Sequence, residues 1–380
     1  MKPDTKRTWA EISLENLVHN LNTIRAALPG GTGFLGVVKA DAYGHGAVPV
    51  SLALERSGAD YLAVSCLDEA LELRRGGVTM PVLILGHTPA EYVPELIEAN
   101  LTQTVSNLAK AREYDAAAQA AGGRLRIHIK LDTGMGRLGF LCAGDMLEQG
   151  VRNVAEACRC TCLEPEGIYT HFAMSDEAGP EAEAYTRNQF RLFQTVISAL
   201  EGENIRFRLR HCANSGAVVQ YPETALDMVR PGLLLYGYGG GDALPGLRPC
   251  MRFLSRISTI KHYEAGTSIS YGGIWTAPRH TRMGVISAGY ADGLFRCLSS
   301  RCAFAVPGGM AEQRGRICMD MCMIDLTGLP EAEVGAAVEI FGERASLETL
   351  AAQAGTIPYE LLCAVSKRVP RVYTDWGTDV

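Results

Sequence analysis

The chain has 380 residues, of which 47% are hydrophobic and 21% charged, and its formal net charge at pH 7 is −6. This composition is that of a globular protein, the length favours two domains, and the negative charge excludes a strongly basic nucleic-acid-binding protein. With no apolar run of about 18 residues and no apolar segment at the start, we expect neither a membrane-spanning helix nor a secretory signal, which favours a cytoplasmic protein.

The first two thirds of the chain alternate short apolar runs with amphipathic segments. Apolar runs predict strands at 34–40, 61–65, 81–86, 101–105, 125–131, 166–172, 207–211 and 226–230. Amphipathic segments predict helices at 13–28, 47–58, 105–121 and 181–200. Repeated β-α units of this number and size predict a parallel (β/α)8 barrel. A doubly wound open sheet is the alternative, because counting strands cannot establish closure.

The pattern changes after residue 240. Strand-like runs follow at 251–263, 282–288, 301–307, 315–325 and 337–341. Residues 346–354 predict the only clear helix, with Ser346 as its N-cap and Gly355 as its stop. We therefore expect an α/β barrel domain, residues 1–240, and a mainly β domain, residues 241–380, with the first strand of the chain as a candidate member of the β domain.

Twelve cysteines are too few for a disulfide scaffold. Cys158, Cys160 and Cys162 alternate along the chain, which on a strand would put them on one face. Because C-x-x-C pairs and histidines at ligand spacing are missing, we interpret these residues as ordinary reduced thiols and expect no metal site.

The segment Val37-Val-Lys-Ala-Asp-Ala-Tyr-Gly-His-Gly46 places Lys39 at the end of the first apolar run. In a barrel the strand ends form the catalytic mouth. Apolar walls there lower the pKa of a lysine and make it a usable amine for a Schiff base. On position alone, a strand-end lysine whose stem covers apolar surface is the alternative.

Further motifs follow in order over almost the whole chain, at 128–139 (His-Ile-Lys-Leu-Asp-Thr-Gly-Met-Gly-Arg-Leu-Gly), 170–173, 211–215, 229–232, 270–273, 289–293, 315–320, Tyr359 and 368–371. Together with the lysine segment they resemble the alanine racemases, fold-type III enzymes that use pyridoxal 5′-phosphate (PLP). The resemblance implies an eight-stranded barrel followed by a β domain. It also implies interconversion of L- and D-alanine, with D-alanine supplied to peptidoglycan.

The resemblance assigns the catalytic roles. Lys39 would carry PLP through a Schiff base and then act as one base, and Tyr271 would be the second base on the opposite face of the substrate α-carbon. His171 matches the histidine beside that tyrosine, which helps to stabilise its phenolate. Arg230 would point at the pyridine nitrogen. Because arginine stays charged, that nitrogen stays unprotonated, which favours racemisation over decarboxylation or transamination.

The resemblance also assigns the supporting residues. Arg137 would touch the PLP phenolic oxygen or the substrate carboxylate. Lys130 matches a lysine that is carbamylated in many members and orients that arginine; a lysine paired with a carboxylate is the alternative. Hydroxyls, amides and helix starts can bind the phosphate, and the implied cofactor contacts are Tyr43, Asn214, Ser215, Gly232, Leu233 and Tyr359.

The resemblance further implies a homodimer whose sites are completed in trans. The Met319 amide would bind the substrate carboxylate in the partner's site, and Tyr271 would serve that site likewise. Four residues match the corridor through which substrate enters: Asp176, Tyr290, Arg296 and Arg316.

Two positions depart from the family pattern: Pro358 stands where asparagine is common, and the bulky Trp275 lies just past Tyr271. A serine/alanine racemase domain of a membrane protein linked to glycopeptide resistance is one alternative. In that branch the pocket tyrosine can be smaller and polar, so Tyr359 favours alanine. A non-catalytic PLP-binding protein is disfavoured by Tyr271 and residues 318–320, and a fold-type III decarboxylase by Arg230 and the short β domain.

Overall fold

The computed structural model describes residues 7–374. The expectation about a secretory signal concerns, in part, residues 1–6, which lie outside that range. The strands, numbered in chain order, are β1 Thr8–Ser13, β2 Gly33–Val37, β3 Tyr61–Val64, β4 Val82–Ile84, β5 Thr102–Val105, β6 Leu125–Asp132, β7 Phe140–Leu141, β8 Leu163–Tyr169, β9 Leu209–His211, β10 Met228–Val229, β11 Met251–Tyr263, β12 Ser268–Ile269, β13 Trp275–Thr276, β14 Thr281–Ile286, β15 Ala303–Val306, β16 Gly309–Arg314, β17 Cys322–Asp325, β18 Ala337–Phe341 and β19 Arg371–Thr374.

The right-handed helices are numbered in the same way. They are α1 Leu14–Ala26, α2 Ala47–Arg56, α3 Leu67–Arg75, α4 Val93–Glu98, α5 Leu108–Ala120, α6 Leu147–Cys158, α7 Pro180–Gly202, α8 Ser215–Gln220, α9 Leu347–Ala354 and α10 Pro358–Ala364. Over residues 7–374, none of the helices is both long and apolar enough to cross a membrane.

The chain divides into two compact units. The β unit contains the residues up to Leu17, the short segment Tyr43–Gly46 and the residues from Arg248 onward. The barrel unit contains Val18–Ala42 and Ala47–Leu247. The domain boundary expected at residue 240 stays a prediction.

The barrel unit is built on eight parallel strands in the order β10-β2-β3-β4-β5-β6-β8-β9, with the short β7 paired to β6 outside that order. The two ends of this order meet. The amide of Asp227 donates to the carbonyl of Arg210 at 3.1 Å, and the amide of Arg230 donates to that of Ala213 at 2.9 Å. The sheet therefore closes next to β9 and β10, which confirms the predicted (β/α)8 barrel over the open sheet.

Strands β3 and β4 are buried at every residue, as expected of parallel strands covered on both faces. Strand β6 differs because it alternates apolar residues with Arg126, His128, Lys130 and Asp132. A period of two puts these polar side chains on one face of the strand. His128 and Lys130 are both buried, so the barrel interior is polar at their level.

The β unit contains a sheet in the order β14-β17-β16-β15-β18-β11-β1-β19. Because β14 also pairs with β11, the six strands from β14 to β11 form a closed ring. The thirteen-residue β11 makes this possible: its first half pairs with β1 and β18, and its second half pairs with β14 beyond an irregularity between Ile257 and Thr259. All pairs in this sheet are antiparallel except β1 with β19.

Several predicted elements of the second half were wrong. Helix α10 is a second helix after α9, and strand β16 was not predicted. Of the run 315–325 only β17 is a strand, because the amide of Cys318 donates to the carbonyl of Met321 at 3.0 Å and turns the chain.

The cysteines at 158, 160 and 162 do not share the face of a strand. Cys158 ends α6, and Cys160 and Cys162 lie in the connection that leads to β8. Among residues 7–374, no group of three His, Cys, Asp or Glu side chains is arranged to hold a metal ion.

Candidate active site

Lys39 stands two residues after β2 and begins a left-handed turn. Residues 40–43 have φ between 52° and 55°, a conformation that costs L-residues other than glycine about 1–2 kcal/mol each. Two carboxylates hold the turn: the amide of Ala40 donates to Glu69 Oε1, and the amide of Ala47 donates to Asp41 Oδ1, both at 2.7 Å. A strained segment of this length persists only where its surroundings fix it, and such segments cluster at functional sites.

Arg230 follows β10 and is buried. Its Nη2 donates to the carbonyls of Thr170 and Cys212 at 2.9 and 3.1 Å, and lies 3.3 Å from Nδ1 of His171. Its Nη1 lies 3.0 Å from Nδ1 of His211. Because a guanidinium only donates, Nδ1 of each histidine accepts. The cation is therefore fixed by contacts at the carboxyl ends of β8 and β9.

The environment of His171 keeps its imidazole neutral. Burial, followed by the charges of Arg230, Lys130, Arg137 and Lys39, lowers the pKa of His171 well below its ordinary value. Since Nδ1 accepts from Arg230, the single ring proton lies on Nε2. The same electrostatic effect indicates that Lys39, Lys130 and Arg137 lie close to this histidine.

Lys130, on β6, is 4% exposed, and its Nζ has no hydrogen-bond partner within residues 7–374. Burial, followed by the charges of Arg230 and Arg137, lowers its pKa to about 7, although Asp132 acts in the opposite sense. Nζ lies 5.2 Å from the ring centroid of Tyr169. A buried charge without a hydrogen-bonded partner is costly, so a large share of this amine is neutral near pH 7.

The turn before Arg137 is shaped by Asp132 at the end of β6. Its Oδ1 accepts from the amides of Gly134 and Gly136 at 3.0 and 3.1 Å. Arg137 itself is exposed. The sequence motif thus forms a compact loop that presents an arginine near Lys130 and His171.

Ser215 joins the starts of two helical segments in the barrel unit. Its Oγ accepts from the amide of Gly232 at 2.9 Å, just before the 3₁₀ turn Leu233–Tyr236. Asn214 caps α8 by accepting from the amide of Ala217 at 3.0 Å. The first amides of a helix have no partner within it, so this corner offers N–H donors and hydroxyls but no cation.

Asp176 lies against the same corner and is exposed. Its neighbour Ser175 donates from Oγ to Asn214 Oδ1 at 2.7 Å. Gly216 comes so close to this segment that an added Cβ would lie 2.7 Å from the carbonyl oxygen of Ser175. Only glycine fits there without moving the backbone.

The two tyrosines among the predicted cofactor contacts both belong to the β unit. The rings of Tyr43 and Tyr359 lie 5.8 Å apart. Burial, then the neighbouring Tyr359, raises the pKa of Tyr43, which keeps its hydroxyl protonated. Arg371 holds the segment of Tyr43 by donating from Nε to the carbonyl of Gly44 at 2.9 Å.

Pro358 is the first residue of α10, where its missing N–H costs nothing.

Tyr271 is presented by a tight loop between β12 and β13, and 73% of it is exposed. Ser270 before it has φ 69° and ψ −180°, a region that is almost exclusive to glycine. The loop is tied down because Ser270 Oγ donates to the carbonyl of Arg316 at 2.9 Å and Arg316 Nε donates to the carbonyl of Tyr271 at 3.2 Å. The Cζ atom of Arg314 lies over the ring of Trp275, 5.6 Å from the centroid of that ring.

Met319 lies in an exposed turn that two amides hold in place. The amide of Tyr290 donates to the carbonyl of Cys318, and the amide of Ala291 to that of Met319, both at 3.0 Å. The fully buried Asp292 anchors this pair of loops. Burial alone would raise its pKa, but hydrogen bonds from Arg7, Arg368 and the Gly289 amide lower it.

The predicted residues therefore form two groups. The barrel unit brings together Lys39, Lys130, Arg137, His171, Asp176, Asn214, Ser215, Arg230, Gly232 and Leu233. In the β unit, Arg316 contacts the Tyr271 loop and Tyr290 contacts the turn of Met319, whereas Tyr43 pairs with Tyr359. Arg296 is exposed in the 3₁₀ turn Arg296–Leu298.

Sequence reasoning did not single out four polar residues of the barrel interior: His128, Glu166, Tyr169 and His211. The signal for His128 was the alternation of polar and apolar residues along β6; Glu166, Tyr169 and His211 lie on β8 and β9 without such a period. In a run that is otherwise apolar, such alternation indicates a polar inner face.

The chain matches one enzyme family over both units. Residues 12–239 match the family described as "Alanine racemase, N-terminal domain", and residues 250–373 match "Alanine racemase, C-terminal domain". The alanine racemase of Desulforamulus reducens is 44% identical over 370 residues, covering 96% of this chain and 98% of the relative. That of Desulfovibrio desulfuricans is 41% identical over 377 residues, covering 97% and 98%.

Solved structures give the same result. An alanine racemase from Clostridium difficile superposes with a TM-score of 0.90 at 37% identity, covering 97% of this chain and 96% of the other. The Bacillus anthracis enzyme with bound L-Ala-P superposes with a TM-score of 0.88 at 32% identity, covering 99% and 97%.

Proposed function

The chain belongs to the alanine racemase family and is a PLP-dependent isomerase that interconverts L- and D-alanine; from this premise we propose that Lys39 and Tyr271 are its two bases. The observation that carries the assignment is the pair of strained backbones that present them. Lys39 begins a left-handed turn, and Tyr271 follows Ser270 at φ 69°. Strained backbone conformations cluster at active sites, where the surrounding structure holds the reacting groups in place.

The residues of the barrel unit fit the cofactor. The phosphate would be held by the hydroxyl of Ser215 and the amides at the starts of α8 and the turn Leu233–Tyr236, with the hydroxyls of Tyr43 and Tyr359 as further donors. Arg230 would donate to the pyridine nitrogen, and Lys39 would bond the cofactor covalently. PLP, when bound, delocalises the electron pair left on the substrate α-carbon.

The protein's own part is to move one proton across the substrate. One base removes the α-proton from one face, and the other base returns a proton to the opposite face, so each base serves one enantiomer. A tyrosine has an ordinary pKa near 10 and is a weak base at neutral pH without help. We assign that help to His171, whose neutral ring donates from Nε2, the nitrogen not engaged by Arg230, and so stabilises a phenolate.

Arg230 decides which chemistry the cofactor performs. Four acceptors fix its guanidinium, and it cannot give up its proton at neutral pH. With the cofactor bound, Arg230 would keep its ring nitrogen unprotonated, so the cofactor would withdraw electrons less strongly, which would favour racemisation over transamination.

Lys130 is assigned as a carbamate. Its neutral Nζ attacks the carbon of CO₂, an N–C bond forms, and one proton leaves for solvent. The new anion lies close to Arg137 and Arg230, whose charges now stabilise it. This assignment accounts for a buried amine with a pKa of about 7 and no hydrogen-bond partner in the described chain. The carbamate would orient Arg137 towards the substrate carboxylate.

The active enzyme is assigned as a homodimer with sites completed in trans. The support lies in the β unit, where Tyr271, Ile274, Met319 and Met321 are all exposed. Large apolar side chains grouped around functional loops are typical of a surface that a partner covers. The Met319 amide would bind the substrate carboxylate, and Asp176, Tyr290, Arg296 and Arg316 would line the entry. The proposed location is the cytoplasm, and the proposed use of D-alanine is peptidoglycan synthesis.

Exchange of the substrate α-hydrogen with deuterated water tests the two bases. Lys39→Ala should abolish the visible absorbance of the bound cofactor. Tyr271→Phe should keep that absorbance, lose racemisation, and still exchange the α-hydrogen of one enantiomer. Tyr263→Phe, at the end of β11, is the matched control and should behave as wild type. Normal racemisation by Tyr271→Phe would contradict the assignment.

A further inference from the structure

A line of hydrogen bonds leads from Arg230 through the barrel interior. Nη1 of Arg230 lies 3.0 Å from Nδ1 of His211, and Nε2 of His211 lies 2.9 Å from Nδ1 of His128. Nε2 of His128 in turn lies 3.3 Å from Oε2 of Glu166. Arg230 follows the carboxyl end of β10, whereas Glu166 lies level with Arg208 before the start of β9. The line therefore runs along the strands from one end of the barrel towards the other.

Arg230 at one end of this line and the carboxylate of Glu166 at the other favour the same arrangement of protons. Since Arg230 has no acceptor, Nδ1 of His211 accepts and its proton lies on Nε2. That proton is donated to Nδ1 of His128, which leaves the His128 proton on Nε2, directed at Glu166. Burial is the main cause that lowers the pKa of both histidines, so both rings are neutral. Every hydrogen bond thus points away from Arg230 and towards the carboxylate.

Glu166 is held as an anion at the end of the line. Burial alone would raise its pKa, but hydrogen bonds from His128, Arg208 and Tyr61 lower it to about 2. The Tyr61 hydroxyl donates to Oε2 at 2.8 Å and also lies 2.6 Å from Oγ1 of Thr102. Arg208 binds the other carboxylate oxygen. The side chain is only 15% exposed, so water screens its charge poorly.

The surroundings of the two histidines leave the rings little freedom. The ring of Tyr169 stacks on His211 with centroids 4.8 Å apart and planes 7° from parallel. The charged groups that act on the two histidines are Glu166, Arg208, Arg230 and Lys130. Arg208 and Arg230 are cations, and Glu166 is the acceptor towards which the histidine protons point.

We propose that Glu166 is a positioning residue for Arg230 and acts through the tautomers of His128 and His211. The inference rests on the assignment of Arg230 to the pyridine nitrogen. A carboxylate only accepts, so it fixes the His128 proton on Nε2 and, through His128, the His211 proton on Nε2. In the other tautomer His211 would direct an N–H at an N–H of Arg230, and the guanidinium would be pushed out of place.

Glu166→Gln tests this role because an amide of the same size can donate as well as accept. In the PLP-loaded wild type, ¹⁵N NMR of labelled histidines should show both rings neutral and protonated on Nε2. The variant should show mixed tautomers at His128 and a shifted absorbance maximum of the bound cofactor. Its kcat should fall about tenfold with KM nearly unchanged, as for other residues that orient a primary contact.

Glu164→Gln is the matched control. Glu164 lies two residues earlier on β8, and its carboxylate pairs with Arg124 at 3.1 Å, both side chains being largely exposed. This variant should keep the histidine tautomers, the cofactor absorbance and kcat of the wild type. Glu166→Asp keeps the negative charge and should restore the wild-type absorbance at least in part.

A wild-type spectrum with His211 protonated on Nδ1 would overturn the proposal without any variant, so a Glu166→Gln protein that fails to fold leaves it testable. Unchanged histidine signals and absorbance in folded Glu166→Gln would also overturn it, while the two-base function would stand. Failure of the two-base function would show itself differently, as normal racemisation by Tyr271→Phe.

Discussion

Nη1 of Arg230 and Nδ1 of His211 lie 3.0 Å apart, and the histidine is the acceptor because the guanidinium cannot accept. This contact makes the arginine at the barrel mouth part of a buried polar chain instead of a solvated surface cation. A second acceptor, Nδ1 of His171, binds the same guanidinium at 3.3 Å. Two histidines therefore fix the position of the Arg230 charge.

Hybrid dimers can reveal whether the two bases come from different chains. Lys39→Ala and Tyr271→Phe chains should each be inactive alone. Mixed after dissociation, they should regain about one quarter of wild-type activity, because half of the dimers are hybrids and each hybrid has one intact site completed in trans. Activity per mixed chain is the measurement. Bases from one chain would leave the mixture inactive, since every chain then carries a defect in its own site.

The carbamate at Lys130 should depend on pH. CO₂ adds only to the neutral amine, and a pKa of about 7 instead of 10.5 leaves much of this amine neutral at pH 7–8. Protein equilibrated with ¹³C-bicarbonate should therefore show a carbamate carbon signal at pH 8 that declines as the pH falls below 7. Lys130→Met should lack the signal, and Lys110→Met, at a half-buried lysine of α5 paired with Glu113, should keep it. A signal that survives in Lys130→Met would place the modification elsewhere.

Two substitutions at Ser270 should affect the free energy of unfolding differently. Ser270→Gly relieves a backbone strain of about 1–3 kcal/mol and loses one hydrogen bond worth about 1 kcal/mol, so the free energy of unfolding should stay level or rise. Ser270→Ala keeps the strain and loses the bond, so stability should fall by about 1 kcal/mol. Chemical denaturation measures both.

The same glycine variant should lower kcat, because the loop that presents Tyr271 gains freedom. Equal stability changes for glycine and alanine would show that Ser270 is not strained.

Asp292→Asn should lower the free energy of unfolding at pH 7 by about 3–5 kcal/mol. The buried carboxylate binds both Arg7 and Arg368, and the variant leaves these two cations without a negative partner at this position. The pKa of Asp292 is lowered in the folded state. Its stabilising effect is therefore complete above the ordinary value of 3.8 and is lost as the pH falls through the lower folded value. The difference between wild type and variant should shrink over that acidic range.

Asp320→Asn is the control for this prediction, because its exposed carboxylate pairs with the same Arg368 and should contribute less than about 1 kcal/mol. A similar loss in both variants would mean that burial does not set the strength of the Asp292 contacts.

The turnover of L-alanine and of L-serine distinguishes an alanine racemase from a serine/alanine racemase. We predict a preference for alanine because Tyr359 keeps the tyrosine that a smaller polar residue can replace in the serine/alanine branch; its ring lies 5.8 Å from that of Tyr43. Turnover of L-alanine should exceed that of L-serine at least about tenfold, the size expected for one polar group that finds no partner. Equal rates for the two amino acids would support the alternative.

Local sequence patterns were enough where burial sets the periodicity. The runs at 61–65 and 251–263 contain β3 and β11, as predicted. A continuous apolar run is buried on both faces of a strand, and an alternating run is buried on one face. Strand β16 and helix α10 were not predicted because their sequences mix polar and apolar residues without a clear period. Contacts with neighbouring elements stabilise them. The run 315–325 was mostly wrong because backbone hydrogen bonds from Tyr290 and Ala291, far away in the chain, shape it as a turn.

By itself the sequence predicted the barrel, the β domain and the enzyme family, and it supplied the residues proposed as reactive. These depend on residue types at short spacing, and short spacing is preserved whatever the rest of the chain does. Only the tertiary structure decided the direction of each hydrogen bond around Arg230 and the lack of a hydrogen-bond partner at Lys130 within the described residues. Both depend on side chains from β6, β8 and β9 that meet inside a closed barrel. The low dielectric constant there makes an unpaired polar group costly.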